Sequence, residues 1–468
     1  MAKNSVVGAV LGGLKISIQL VTLPVIASYL GPKEFAVYAL ALPAITFFLV
    51  LADAGVGGTL SREDEANEIV WSSSFWAILI LCFLLQIVVI FIGLLIAYIS
   101  DEPSLSKLMI LLSFSLPIMG ITNVPAARLN RRGRIQYLAV CDLFSSALGA
   151  FCGIICSIKG MGAISLGFQF VVSFLSRSFL INLAAFHMPL FHFSYKAVTK
   201  HIVVSTTIVC SRLTEFVGRA VENIVFQNIY GSALLGNYNL GSQISRFSCE
   251  AVGNPVWASL YAQALHEDRS RLAELTRRTL VTVCYVLFPI AALLITSSAP
   301  LFSIIMGNKW NDAAWIVEVL IFFNALSTVF GLIGAVLTAI GAPLSILYAL
   351  GLLYLSRILS VVAGAVFGVY FSVLAIGLSS LVFIVVLTIG AGRKFGFNFY
   401  SLSSIRKPFE ASLAVALANY LMISYLPGSI FYLLISYLLA GILYTILVYL
   451  IDDPDLSPLL SKFRGRLR

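Results

Sequence analysis

Charge is what this chain has least of. Only 11% of its 468 residues are Asp, Glu, Lys or Arg, against about 25% in soluble domains. So few charges could not cover a soluble surface of this size, and disordered chains and nucleic-acid modules are excluded on the same ground. Histidine is also scarce, at four, and cysteine stops at seven. Cys82, Cys141, Cys152, Cys156, Cys210, Cys249 and Cys284 all fall in apolar stretches. An odd number so placed excludes a disulfide scaffold. Cys152 and Cys156 share a helix face, but no His or acid accompanies them to complete a zinc site. His187, His192 and His201 flank one basic linker and His266 sits in another polar loop, positions that suit an interface better than a metal. No G-x-S-x-G, H-E-x-x-H, P-loop or strand-borne G-x-G-x-x-G is present. Long polar segments are missing too: 187–200, 261–279, 392–408 and 452–468 each have fewer than twenty residues, too few for a catalytic domain. The chain is therefore read as not an enzyme, with no cofactor and no metal.

What is abundant is apolar residue, at 60% against about 45–50% in soluble proteins. A transmembrane helix takes roughly 20 apolar residues, or about 25 when tilted. Fourteen stretches qualify: 6–30, 35–57, 70–99, 105–124, 135–158, 162–186, 201–229, 233–260, 280–306, 315–340, 344–367, 371–391, 409–426 and 429–451. They are continuous rather than alternating, which rejects a β-barrel. The first is too long for a signal h-region and lacks an A-x-A cleavage site, so it is expected to stay attached. The fold class is all-α, a polytopic membrane protein of about fourteen transmembrane helices.

Lysine and arginine set the expected orientation. With the N-terminus inside, twenty of the thirty fall on inside segments, among them Arg128, Arg131, Arg132, Arg134, Lys196 and Lys200. Four (Lys33, Lys107, Lys159 and Lys309) fall outside, and the rest lie within spans. Both termini are thus expected to be cytoplasmic. The formal net charge of +9 reflects topology and contact with anionic membrane lipids, not nucleic acid.

Within the spans lie Lys15, Arg177, Arg212, Arg219, Arg246 and Arg357, with Asp142, Glu215, Glu222 and Glu250. Each would cost roughly 2.5–3.5 kcal/mol at the bilayer centre, so they must line a watery cavity, pair, or snorkel. In the seventh span Arg212, Glu215, Arg219 and Glu222 point into an arc of about 80° at 100° per residue. Such a stripe is expected to line an interior pathway, to neutralise itself with Glu215 and Arg219 in the favoured order, or both. The balance of cations suits an anionic substrate.

The chain also repeats. Gly31, Tyr38 and Leu40 match Gly231, Tyr238 and Leu240 at an offset of 200, and Leu129 and Gly133 match Leu337 and Gly341 at an offset of 208. An even number of spans between copies gives parallel repeats. The expected organisation is an N-lobe (1–186, spans 1–6), a cytoplasmic basic linker (187–200) and a C-lobe (201–391, spans 7–12), with spans 13–14 (392–451) and a cytoplasmic tail (452–468) appended. The two six-helix lobes would surround a central cavity. Asp53, in a turn with Gly55, Gly57 and Gly58, reads as a local backbone cap. Pro24, Pro43, Pro117, Pro255 and Pro289 are possible bending points, and Trp71, Trp76, Trp257, Trp310 and Trp315 read as interfacial anchors.

The stretch Tyr29-Leu30-Gly31-Pro32-Lys33-Glu34-Phe35, then Ala52-Asp53-Ala54-Gly55-Val56-Gly57 and Ser61-Arg62, resembles the opening of the polysaccharide transporter family. These are the Wzx-type O-antigen and exopolysaccharide flippases of the multidrug/oligosaccharidyl-lipid/polysaccharide exporter superfamily. Glu222-Asn223, Leu235-Gly236-Asn237-Tyr238, Gly307-Asn308-Lys309-Trp310 and Leu337 to Gly341 continue the resemblance in order. It implies a multi-pass transporter of the bacterial inner membrane, working by alternating access. The implied cargo is an undecaprenyl-pyrophosphate-linked oligosaccharide of O-antigen, capsule or exopolysaccharide, and the implied partners are a polysaccharide polymerase and chain-length machinery. Arg212, Arg219, Arg246 and Arg357, with Lys15 and Arg177, are the expected substrate contacts. Glu215, Glu222, Glu250 and Asp142 are expected to orient those cations or carry a coupling ion. A multidrug/cation antiporter of the same superfamily and a lipid-linked peptidoglycan precursor flippase are the alternatives. A membrane glycosyltransferase or polymerase would normally have a long external loop, which is missing.

Overall fold

Where the chain runs apolar it is helical. The structure, a computed structural model, describes residues 2–53, 60, 67–99, 103–185, 189–191, 193–194, 206–397, 405–425 and 429–451. In the first half the helices are α1 (Ala2–Tyr29), α2 (Pro32–Asp53), α3 (Glu68–Ile99), α4 (Pro103–Ser113), α5 (Ser115–Arg131), α6 (Ile135–Ile158), α7 (Ile164–Ala184) and α8 (Thr206–Tyr230). Then come α9 (Ser232–Ala264), α10 (Arg269–Met306), α11 (Asn311–Ala339), α12 (Leu344–Phe367), α13 (Val369–Phe395), α14 (Arg406–Tyr425) and α15 (Ile430–Ile451). A 3-10 turn, Asn308–Trp310, links α10 to α11. The helices follow all fourteen expected spans, α4 and α5 together making the fourth. Eleven described stretches are long and apolar enough to cross a membrane. α10 has 38 residues, about 57 Å of helix against a hydrocarbon core of about 30 Å, so it begins well before the span expected at 280.

Of the prolines named above, Pro117 alone coincides with a helix break. Lacking an N–H, it leaves the Ser113 carbonyl without its usual partner. The chain tightens into a turn at Phe114, whose N–H reaches Leu111 O at 3.3 Å. Pro24, Pro43, Pro255 and Pro289 all lie inside continuous helices.

The chain divides into two compact units, Met1–Asn239 and Leu240–Arg468, with the division inside α9. In the first unit α6 packs on α1 and α7, α3 on α4 and α5, and α8 on α2. Its core gathers Ala41, Ile45, Phe75, Cys82, Leu112 and Leu116. Trp71 is also buried there, and Trp310 is buried in the second unit; both correct the expectation of anchors at the membrane interface. Part of the linker is fastened to α3, with Leu190 N–H donating to Ser72 Oγ at 2.9 Å and Trp76 Nε1 donating to Leu190 O at 3.0 Å.

In the second unit α10 packs on α11 and α14, α12 on α13, and α13 on α11. The two last helices are hydrogen-bonded into it. Asn419 Nδ2 donates to Thr296 Oγ1 at 2.7 Å, the Tyr437 and Ser297 hydroxyls lie 2.6 Å apart, and Tyr444 OH donates to Tyr285 O at 2.7 Å. Outward faces carry large apolar side chains, as along α3 at Ile80, Phe83, Leu84, Ile87 and Phe91, a surface suited to lipid.

The echo at an offset of 208 recurs in the backbone. After α5, Arg134 N–H bonds Leu129 O at 2.9 Å and Gly133 N–H bonds Asn130 O at 3.0 Å. After α11, Ala342 N–H bonds Leu337 O at 2.8 Å and Gly341 N–H bonds Thr338 O at 3.1 Å. Gly133 and Gly341 have φ of 70° and 76°, the left-handed helix ending that glycine adopts without a Cβ clash.

Candidate functional site

The charges within the spans are mostly paired. In the first unit α6 and α7 approach closely because Gly149 has no side chain: a Cβ there would sit 2.5 Å from the Gln169 carbonyl. That approach brings Arg177 Nε of α7 to 2.5 Å from Asp142 Oδ1 of α6, with 34% and 32% of the two side chains exposed. Lys15, half-buried on α1, has no ion pair among the described residues.

On α8 the expected i,i+4 pair forms, Arg219 Nη2 donating to Glu215 Oε1. Glu222 leaves the stripe. It is buried and accepts the Tyr238 hydroxyl of α9. The Tyr238 ring stacks on Phe226 with centroids 4.6 Å apart, so the carboxylate closes a small α8–α9 joint. Next to it Asn223 Nδ2 donates to Ala39 O of α2 at 2.8 Å. The side chains of Arg212 and Asp53 lie outside the described residues, as do His187, His192 and His201.

The second unit holds the remaining expected contacts. Arg246 Nε is 3.6 Å from Glu250 Oε1 one turn along α9, and its guanidinium carbon lies 5.3 Å from the centre of the Phe247 ring. Arg357 of α12 is over Tyr354, 5.8 Å from the ring centroid. A cation on an aromatic face recovers part of its lost solvation.

Two charged contacts escape the reading of the sequence. Glu318 falls inside the expected span 315–340, where counting the acids of that span would have found it. Ser298 of α10 donates to its Oε1 at 3.2 Å. Arg128, expected on a cytoplasmic segment, lies on α5 with its side chain 11% exposed. One of its terminal nitrogens donates to both Glu68 oxygens of α3, at 2.9 and 2.8 Å, and its guanidinium covers the Trp71 ring at 5.1 Å. Among the described residues no three His, Cys, Asp or Glu side chains gather as metal ligands, and no cysteine is in a disulfide.

Residues 25–315 match the family described as polysaccharide biosynthesis protein. The succinoglycan biosynthesis transport protein ExoT of Rhizobium meliloti (strain 1021) is 24% identical over 299 residues, a match spanning 63% of this chain and 60% of ExoT. The lipopolysaccharide biosynthesis protein WzxC of Escherichia coli (strain K12) is 20% identical over 329 residues, 69% of this chain and 67% of WzxC. Among solved structures, the fold is similar to lipid II flippase MurJ in an inward closed conformation. The TM-score is 0.76 at 16% identity, over 95% of this chain and 98% of that one. An inward-facing multidrug resistance MATE family transporter gives a TM-score of 0.63 at 17% identity, over 85% and 96%.

Proposed function

Since the chain belongs to the polysaccharide biosynthesis protein family, we propose that it is a flippase for lipid-linked oligosaccharide in the bacterial inner membrane. The cargo is an undecaprenyl-pyrophosphate-linked repeat unit of O-antigen, capsule or exopolysaccharide, carried by alternating access, with both termini cytoplasmic. The observation that carries this reading is the set of arginine–carboxylate contacts inside apolar spans: Arg219 with Glu215, Arg177 with Asp142 and Arg246 with Glu250. An isolated charge at that depth is costly, and a guanidinium presents a planar donor fork that fits phosphate.

Each carboxylate holds its arginine in place until the pyrophosphate takes over the donors. Arg212, Arg357 and Lys15 add cations to the same pathway, and Glu222 braces the α8–α9 joint through Tyr238. The relatives' names support the polysaccharide reading. A lipid-linked peptidoglycan precursor is the second cargo to test, because the fold likeness to lipid II flippase MurJ spans nearly the whole chain. Polymerase and chain-length machinery are the proposed partners.

In a deletion strain, surface glycan should fall while undecaprenyl-linked oligosaccharide accumulates on the cytoplasmic side. The wild-type gene should restore both, and Arg219→Ala should not. Unchanged glycan and precursor would overturn the reading, with peptidoglycan-precursor accumulation pointing to the second cargo and cationic-drug sensitivity to an antiporter.

A further inference from the structure

The first unit contains a cavity of about 710 Å³ whose described lining includes none of the paired span charges. Its volume lies within the roughly 300–1,000 Å³ typical of ligand sites. Val37, Leu40, Ala44, Ile92, Met109 and Ile224 form apolar walls. The lining on α2 runs from Lys33 to Ala44, about 16 Å at the helical rise. That is close to the depth of one hydrocarbon leaflet, about 15 Å as half of the full core.

The rim differs from the walls. Lys33 and Glu34 line it together with Ser104, Gly162 and Ser232, at the first turns of α2, α4 and α9 and just before α7. The positive ends of these four helices therefore surround the mouth. Glu34 is folded back onto the chain: Gly31 N–H donates to Oε2 at 2.9 Å, and Oε1 sits where a Cβ on Gly162 would be only 2.8 Å away. Lys33 and Glu34 are both exposed; with the Glu34 carboxylate turned to the Gly31 amide, Lys33 is the cation available at the mouth of an oily, leaflet-deep cavity.

We infer that this cavity is a binding site for a phosphate-headed bilayer lipid, with one hydrocarbon chain along α2 and the phosphate at Lys33. The lipid comes from the leaflet that meets the start of α2, and the assignment does not depend on what the protein transports.

The test is a titration of the purified full chain with phosphatidylglycerol or phosphatidylcholine, read by native mass spectrometry. Wild type should retain one phosphatidylglycerol with about fivefold preference over phosphatidylcholine, the size expected for one lysine near an anionic head. Ala220→Trp and Val37→Trp, which fill the cavity from α8 and α2, should abolish retention. Lys33→Gln, on an exposed side chain, should keep the fold and remove the preference. Retention unchanged in folded tryptophan variants, or no preference in wild type, would overturn the assignment. So would displacement of the lipid by inorganic phosphate. Lipid retention is read without transport, so an overturned lipid site leaves the flippase reading standing.

Discussion

The two compact units differ in how much of their charge is tied across helices. The first ties most of its span charges across helices, Asp142 of α6 to Arg177 of α7, Glu68 of α3 to Arg128 of α5 and Glu222 of α8 to Tyr238 of α9, with Arg219 and Glu215 paired along α8 alone. In the second, Arg246 sits with Glu250 on α9 and Arg357 lies over Tyr354 on α12. A bond across helices fastens two elements, and losing one partner strands the other in a medium that solvates it poorly. A bond along one helix leaves the packing alone and can be given up to a ligand. Removing a cross-helix partner is therefore expected to cost the fold, whereas removing Arg219 or Arg246 is expected to cost activity.

Breaking the approach of α6 and α7 should have the largest effect. Gly149→Leu drives side-chain atoms into the Gln169 carbonyl and should cost about 4 kcal/mol or give no folded protein, read as monodisperse yield in detergent. Arg128→Ala removes a partner of Glu68, whose side chain is 46% exposed, and uncovers Trp71, and should lower unfolding free energy by about 2 kcal/mol. A double-mutant cycle on Arg177 and Asp142, followed by thermal unfolding, should give a coupling of about 1–2 kcal/mol, reduced because a third of each side chain is exposed. The same cycle on Arg246 and Glu250 should give less than about 0.5 kcal/mol, while Arg246→Ala still abolishes restoration of surface glycan. A coupling at 246/250 equal to that at 142/177 would erase the distinction between the units.

Much of this was legible from the chain. Apolar run length placed the helices, and Leu129 to Gly133 and Leu337 to Gly341 announced two turns that share the same hydrogen bonds. The pairing of Glu215 with Arg219 follows from spacing alone. What was not legible depends on neighbours. Nothing local tells that Trp71 faces Arg128 rather than the membrane surface, or that Glu222 turns from its stripe to Tyr238. Depth along a helix is written in sequence, but the identity of the facing helix is a tertiary fact. The contacts of Arg128 with Glu68 and Trp71 were missed for a related reason, since α5 continues past the expected end of its span at 124.

Among the described residues, three of the helices, α8, α9 and α14, are outside the set apolar enough to cross a membrane on their own composition. Biogenesis is where that shortfall matters. A nascent helix carrying Arg212, Glu215, Arg219 and Glu222 partitions poorly from the translocon into lipid. α8 emerges after α2 is already in place, and Ala39 offers its carbonyl to Asn223. The earlier spans thus act as the solvent into which α8 inserts, and the order of synthesis becomes part of how the charged helix is admitted to the bilayer.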